Sequence, residues 1–248
     1  MNNLKKIGLS ALAGSLVAFS VNAGEMSVSG SAGVSLGAVD ETAAATYGQS
    51  DSLTFTGSGE TDSGLNVSVS FEIDGDEAGF DDRSFSVGND SIGTFAFHGS
   101  GGSSVMGGWD DMTPSAYEEV WTGTTGASAD KVDGISGTNL IRYDSPSLSG
   151  VTVSLAHQAA QQTATVSTYT DFGISYSPEM VEGLTVAYAE GSYNTTATLS
   201  TDESTMYALY TMGSVSVGYQ TSEINAGTAA TTDETVSASI SYALSDDI

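Results

Sequence analysis

The stretch that decides the fold is residues 65–73, which read Leu-Asn-Val-Ser-Val-Ser-Phe-Glu-Ile. Every second residue in it is apolar, and the residues in between are small or polar. A repeat of two residues places these two sets of side chains on opposite faces of a β-strand. The stretch therefore predicts a strand with one apolar and one polar face.

The same alternation recurs along most of the chain after residue 24, for example in residues 26–36, 151–155 and 236–242. It predicts about twelve strands, joined alternately by short turns and by longer acidic loops. The predicted strands are centred on residues 26–37, 51–58, 64–73, 83–88, 92–98, 139–144, 150–157, 169–176, 184–190, 204–212, 214–220 and 235–243. The predicted long loops are residues 38–50, 74–82, 99–138, 158–168, 191–203 and 221–234.

The polar face of these strands consists of Ser, Thr, Gly and Asn, with occasional acids and almost no Lys. In a soluble sandwich, the solvent-facing side chains usually include many Lys, Arg and Glu residues. An inverted arrangement, with apolar side chains in lipid and small polar ones around a watery lumen, explains the difference. The pattern favours a transmembrane antiparallel β-barrel, and the alternative is a soluble multi-hairpin sandwich.

Composition excludes several classes of protein. The chain has 248 residues, with 31 Asp and Glu against 5 Lys and Arg, and it contains no Cys. No apolar run reaches the roughly 18 to 20 residues of a membrane helix. Without Cys there is no disulfide scaffold and no thiolate metal site, and the net charge of −26 excludes nucleic acid as a partner. No cofactor is implied.

Residues 1–23 have the three-part pattern of a secretory signal peptide. Lys5 and Lys6 form its positive region, residues 7–19 form an apolar stretch, and Val21-Asn22-Ala23 has small residues before the predicted cleavage site. The alternative is an N-terminal anchor helix. Removal of this segment leaves residues 24–248 with 3 basic and 31 acidic residues, a formal charge of −28.

Two segments resemble the general porins of Gram-negative outer membranes. Residues 139–146 read Asn-Leu-Ile-Arg-Tyr-Asp-Ser-Pro, similar to a hairpin motif of that family. Residues 53–71, with Asp-Ser-Gly-Leu at 62–65, resemble its second hairpin. The resemblance implies a homotrimer in outer-membrane lipid, which passes small hydrophilic solutes by passive diffusion. In such porins the longest loop follows the fifth strand and folds into the barrel, and here residues 99–138 follow the fifth predicted strand.

Two features depart from that family. Such porins have sixteen strands, whereas this sequence predicts about twelve. Such barrels also usually end in a strand that closes on a terminal Phe, whereas residues 242–248 read Tyr-Ala-Leu-Ser-Asp-Asp-Ile. We expect the chain to lack the last four strands of a 16-stranded barrel; the alternative is a complete 12-stranded barrel with an atypical end.

The loop at residues 99–138 holds the predicted functional site. Its aromatic residues are expected to anchor it to the barrel wall, and its acids are expected to face the channel and attract cations. The alternative for the acids is a solvated position at the cell surface. The predicted anchors are Trp109, Tyr117 and Trp121, and the predicted constriction residues are Asp110, Asp111, Glu118, Glu119 and, carried over from the hairpin motif, Arg142.

Three further interpretations are weaker. An adhesive or structural surface barrel is the main alternative function, because acidic, Thr-rich loops also suit partner binding. An enzyme is disfavoured, because only His98 and His157 are available and no Gly-x-Ser-x-Gly motif stands between a strand and a helix. For one acidic loop a solvated position is favoured over a calcium site, because its spacing does not match the 12-residue hand loop and lacks the bidentate Glu at position 12. The residues of such a site would be Asp74, Asp76, Glu77, Asp81 and Asp82.

Overall fold

The computed structural model of the chain describes residues 24–37, 46–75, 80–114, 132–159, 168–196, 199–227 and 232–243. These residues fall into two compact units, divided in sequence between Asn89 and Asp90. Nearly all described secondary structure is extended strand. Within these ranges, no helix has the length and apolar character needed to cross a membrane.

The first unit contains four strands that pair antiparallel in chain order. Val28 is paired with Phe55, and Phe55 with Phe71, so the apolar sets of neighbouring strands are in register. The side chain of Thr61 closes the turn that follows the second strand, because its hydroxyl accepts the Leu65 N–H at 3.0 Å. The strands are β1 (Glu25–Gly37), β2 (Thr46–Glu60), β3 (Asn66–Asp74) and β4 (Arg83–Asn89).

The second unit contains eight long strands that pair antiparallel in chain order, with a short two-stranded ladder inserted after the first of them. The long strands are β5 (Gly93–Ser100), β8 (Leu140–Asp144), β9 (Val151–Gln158), β10 (Tyr169–Tyr176), β11 (Leu184–Thr196), β12 (Leu199–Met212), β13 (Val215–Asn225) and β14 (Thr232–Tyr242). The short ladder consists of β6 (Gly102–Ser103) and β7 (Ser136–Gly137), and a 3-10 turn, η1, follows β6 at Met106–Gly108.

The two faces of β9 to β14 differ sharply in character. On one, which we call the apolar face, large side chains are exposed and stand in register across the strands: Val153, Ile174, Tyr188 and Met206 occupy one row. Tyr188 is 39% and Met206 52% exposed. An exposed apolar surface of this extent suits lipid rather than water. The predicted antiparallel transmembrane class, with its polar side chains on the opposite face, is confirmed.

Each predicted strand corresponds to an observed one, but the predicted loop at 191–203 is wrong. The loops predicted at 38–50 and 221–234 are too long, because β2 begins at Thr46, β13 ends at Asn225 and β14 begins at Thr232. β11 continues to Thr196 and β12 begins at Leu199, and their ladder continues through Asn194 and Ser200 with one register shift. Side chains on both faces are polar in this part, so the apolar alternation disappears although pairing persists. Thr, Ser and Tyr fit strands well, and backbone pairing does not require an apolar face.

Two glycines illustrate how the short turns are formed. Gly213 lies between β12 and β13 with φ of 59°, and nothing lies within 4 Å of where its Cβ would be. Gly183 precedes β11 with φ of 82°, and a Cβ there would overlap the carbonyl oxygen of Thr211. Positive φ is strained for residues with a Cβ. Gly183 therefore faces both a conformational and a steric constraint, whereas Gly213 faces only the first.

A series of three alanine substitutions separates these effects. Gly57→Ala serves as the control, because there is open space around the Cβ position of Gly57. This substitution should change the free energy of unfolding by less than about 0.5 kcal/mol. Gly213→Ala should lower the free energy of unfolding by about 1 kcal/mol, and Gly183→Ala should lower it by more. Urea unfolding in lipid vesicles measures this order, and equal losses at Gly183 and Gly213 would contradict the overlap with Thr211.

Candidate functional site

The connection between β5 and β8, residues 101–139, packs onto the face of the sheet opposite the apolar face. We call these residues the connector and this face the loop face; residues 115–131 of the connector lie outside the described part. The two limbs of the connector, residues 101–114 and 132–139, are joined to each other. The Ser104 N–H donates to the Ile135 carbonyl at 2.8 Å, and the Ile135 N–H donates to the Ser104 hydroxyl at 3.1 Å.

Apolar residues of the connector form a small core against the loop face. Val105, Met106 and Val132 are fully buried, together with Leu140 at the start of β8. On the sheet, Ala156 and Ala189 contribute to the same core. These side chains are small, so the sheet leaves the volume that the connector fills, in line with the close packing of protein interiors.

A glycine on β10 leaves room for the side chain of Trp109 on this surface. A Cβ at Gly173 would overlap the indole ring of Trp109 and would lie 2.7 Å from Val105 Cγ1. The indole also meets the ring of Tyr207 edge to face, with centroids 5.7 Å apart and an interplanar angle of 82°. The absence of a side chain on β10 therefore creates the space that Trp109 occupies.

Two buried carboxylates hold the two limbs of the connector. Asp171 on β10 is 2% exposed, and its Oδ2 accepts the Met106 N–H at 2.8 Å. Glu203 on β12 is 6% exposed, and its Oε2 accepts the Gly134 N–H at 3.3 Å. Hydrogen bonds from backbone N–H groups to carboxylates are stronger than those between neutral groups. Sequence analysis missed both residues; their only signal is an acid on the polar side of the strand's alternation.

The segment that carries Asp110 and Asp111 lies on β12, β13 and β14. The side chain of Gln220 on β13 forms hydrogen bonds with the backbone of this segment on both sides of the two acids. Further along, the Ser239 hydroxyl donates to the Pro114 carbonyl at 2.5 Å. Both Asp110 and Asp111 are half-buried.

Arg142 lies between the sheet and the first limb of the connector. Its guanidinium forms an ion pair with Asp144, with Nε at 3.0 Å from Oδ2, and its Nη1 donates to the carbonyls of Ser103 and Ser104 at 3.3 and 3.2 Å. Asp144 also accepts the Ser154 hydroxyl at 2.6 Å. Of the other predicted site residues, Tyr117, Glu118, Glu119 and Trp121 lie outside the described residues.

The weaker candidates gain little from the geometry. Within the described ranges, no group of three or more acids and histidines is placed to hold a metal ion. Asp81 and Asp82 continue the antiparallel ladder by backbone hydrogen bonds with Glu72, whereas Asp76 and Glu77 lie outside the described residues. His157 is exposed, and its Nδ1 is 2.9 Å from the hydroxyl of Thr170.

The seat of Trp109 can be tested by Gly173→Ala. The added methyl group should displace the indole ring and shift its fluorescence emission to longer wavelength, because the ring moves towards water. The chain has two Trp residues, so a Trp121→Phe background isolates Trp109. Gly57→Ala in that background should leave the spectrum unchanged, and an unshifted spectrum for folded Gly173→Ala would refute the proposed seat.

Comparison with known proteins gives a consistent result. The family described as Gram-negative porin matches residues 8–247. Among solved structures, the chain is similar to outer membrane protein OmpT of Vibrio cholerae lacking loop L8, with 14% identity, a TM-score of 0.64, and coverage of 91% of this chain and 78% of OmpT. It is also similar to Salmonella typhi OmpF in complex with daunomycin, with 12% identity, a TM-score of 0.60, and coverage of 82% of this chain and 66% of OmpF.

A third similar structure is the anion-selective porin from Comamonas acidovorans, with 18% identity, a TM-score of 0.53, and coverage of 86% of this chain and 73% of that porin. A search of curated protein sequences finds no significant match. The chain spans about two thirds of the length of OmpF. The resemblance inferred from the two hairpin segments is confirmed, and the chain belongs to the family of Gram-negative porins, which are β-barrel proteins of the outer membrane.

Proposed function

We propose that the protein forms a water-filled channel for the passive diffusion of small hydrophilic solutes and ions, and that the connector narrows this channel. The observation that carries the proposal is the packing of the connector on the loop face, where its backbone bonds to Asp171, Glu203 and Gln220. A segment held on the polar side of a barrel wall reduces the open cross-section, which limits the size of the solutes that pass. An adhesive loop would instead extend away from the sheet.

The proposed channel prefers cations. Asp110 and Asp111 lie half-buried on the connector, and carboxylates near a narrow passage raise the local concentration of cations and repel anions. The positive charge of Arg142 is offset by its ion pair with Asp144. The similar Comamonas porin is anion-selective, so the fold alone does not impose a preference for cations, and we assign the preference to the charges near the connector.

The double variant Asp110→Asn/Asp111→Asn tests the constriction. At about 8 Å in water with 0.1 M salt, each carboxylate lowers the energy of a passing cation and raises that of an anion by about 0.2 kcal/mol. Neutralising both should therefore lower the ratio of K⁺ to Cl⁻ permeability about fivefold. The measurement is the reversal potential of the protein, purified from outer membranes and reconstituted in planar bilayers under a KCl gradient.

A matched control removes the same charge from the apolar face. Asp202 and Glu223 are exposed acids on β12 and β13 that lie on that face. Asp202→Asn/Glu223→Gln should leave the permeability ratio close to that of the unmodified protein. If both double variants shift the ratio equally, general surface charge and not the connector sets the preference. If the folded protein shows no conductance, the adhesive function becomes the better proposal.

Export and assembly complete the proposed function. Residues 1–23 have the pattern of a signal peptide, and the family resemblance implies a homotrimer. Native mass spectrometry of protein purified from outer membranes tests both parts. We expect a chain that begins at Gly24 and an assembly of three chains. A retained N-terminal segment would refute cleavage, and a single chain as the main species would refute the trimer.

A further inference from the structure

The side chain of Gln220, which sequence analysis did not single out, bonds to the backbone of three connector residues. It lies on β13, 2% exposed. Its Oε1 accepts the Met112 N–H at 2.7 Å, and its Nε2 donates to the carbonyls of Trp109 and Asp110 at 2.6 and 3.1 Å. Nε2 is also 2.9 Å from the hydroxyl of Thr205.

These contacts fix the orientation of the amide. A Gln side chain offers one carbonyl acceptor and two N–H donors, and here the acceptor meets an N–H group while the donors meet carbonyls. In the reverse orientation, the amide NH₂ group would face the Met112 N–H, and the amide oxygen would face the two carbonyl oxygens. The side chain thus pairs with the backbone from residue 109 to residue 112 in the way that a neighbouring strand would.

The acids of the proposed constriction lie inside the paired segment. Gln220 bonds to the carbonyl groups of Trp109 and Asp110 and to the N–H group of Met112, so Asp110 and Asp111 lie between the first and the last of these bonded groups. The carboxylate of Asp111 is oriented further, because its Oδ1 accepts the hydroxyl of Thr113 at 3.2 Å. Since the backbone on both sides of the acids is tied to one side chain, the position of that side chain determines where the two carboxylates lie.

The surrounding wall leaves little freedom for this segment. A Cβ at Gly218, two residues before Gln220 on the same face, would lie 2.9 Å from the Cα of Thr113 and would overlap Pro114. The connector therefore lies directly on the backbone of β13 at this point. Its lateral position along the wall is set by hydrogen bonds, and Gln220 supplies both the acceptor and the donors for residues 109–112.

We propose that Gln220 is a positioning residue for ion selectivity, which holds Asp110 and Asp111 at a fixed place on the channel wall. This inference rests on the proposed function, because it assumes that these acids set the ion preference. It assigns the preference to a residue that is itself neutral and buried. Loss of the amide should change both the permeability ratio and the steadiness of the open-channel current, although no charge at the passage has been removed.

Gln220→Glu provides a switch within one molecule. In its ionised form the carboxylate still accepts from Met112, but it cannot donate to the carbonyls of Trp109 and Asp110 and instead repels them. When protonated, it regains a donor. We expect an altered permeability ratio and a noisier current at high pH, where the carboxyl is ionised, with a return towards the unmodified protein at acidic pH. Under the conditions assumed for the double Asn variant, a displacement of the two carboxylates by about 1 to 2 Å corresponds to a change of about 1.5-fold in the ratio.

Two further variants separate positioning from a general structural effect. Gln220→Leu removes the amide at every pH, so its difference from the unmodified protein should not reverse on acidification. Ser216→Ala is the matched control, because Ser216 lies on the same strand and face and its hydroxyl bonds to Thr211 at 3.0 Å. It should behave like the unmodified protein. Each variant is compared with the unmodified protein at the same pH.

The outcomes distinguish this inference from the proposed function. If Asp110→Asn/Asp111→Asn alters the permeability ratio while Gln220→Glu matches Ser216→Ala at every pH, the role of Gln220 is refuted and the constriction stands. If the double Asn variant has no effect, the constriction itself fails. A Gln220→Glu defect that does not reverse at acidic pH would also refute positioning by donated hydrogen bonds. If Gln220→Leu does not fold, the noise of the Gln220→Glu current, compared with that of the unmodified protein at each pH, still gives the answer, because an added charge alone shifts the ratio and not the steadiness of the current.

Discussion

The structure depends on the requirement that strand backbones with an apolar face in lipid satisfy every N–H and C=O group with neighbouring strands. Lipid supplies no donors or acceptors, so an unpaired group costs several kcal/mol. The ladders from β9 to β14 meet this requirement in unbroken antiparallel register, apart from one shift near Asn194. The alternation of apolar and small polar residues in the sequence follows from it, because each paired strand presents one face to lipid.

The same requirement determines how the connector is held. The backbone groups of the sheet are committed to their own ladders, so a segment that packs flat on the sheet must find its partners in side chains. The choice of side chain follows what the connector backbone offers. Met106 and Gly134 offer N–H groups and meet the carboxylates of Asp171 and Glu203. Carbonyl groups meet donors, as Pro114 meets Ser239.

The strands could be predicted from the sequence because their signal is local. A period of two is visible within any five residues, and it fails only where both faces are polar, as between β11 and β12. The length and position of the connector were also visible, and its aromatic and acidic residues suggested its role. Its contacts could not be predicted: Met106 and Asp171 are 65 residues apart, and Trp109 and Gln220 are 111 apart. Which residues meet depends on strand register and on the small side chains at Gly173 and Gly218, which carry no functional signal in the sequence.

The acids of this chain therefore differ in what they contribute to the field near the connector. Asp144 is paired with Arg142, and Asp171 and Glu203 are buried acceptors of backbone N–H groups, so their charges are partly offset by the groups that they bind. Between residues 109 and 112 the connector offers both an N–H and carbonyl groups. A carboxylate could satisfy only the first and a guanidinium only the second, whereas an amide satisfies both. A neutral Gln at position 220 is thus the side chain that this segment requires, and it leaves the charge at the site to Asp110 and Asp111.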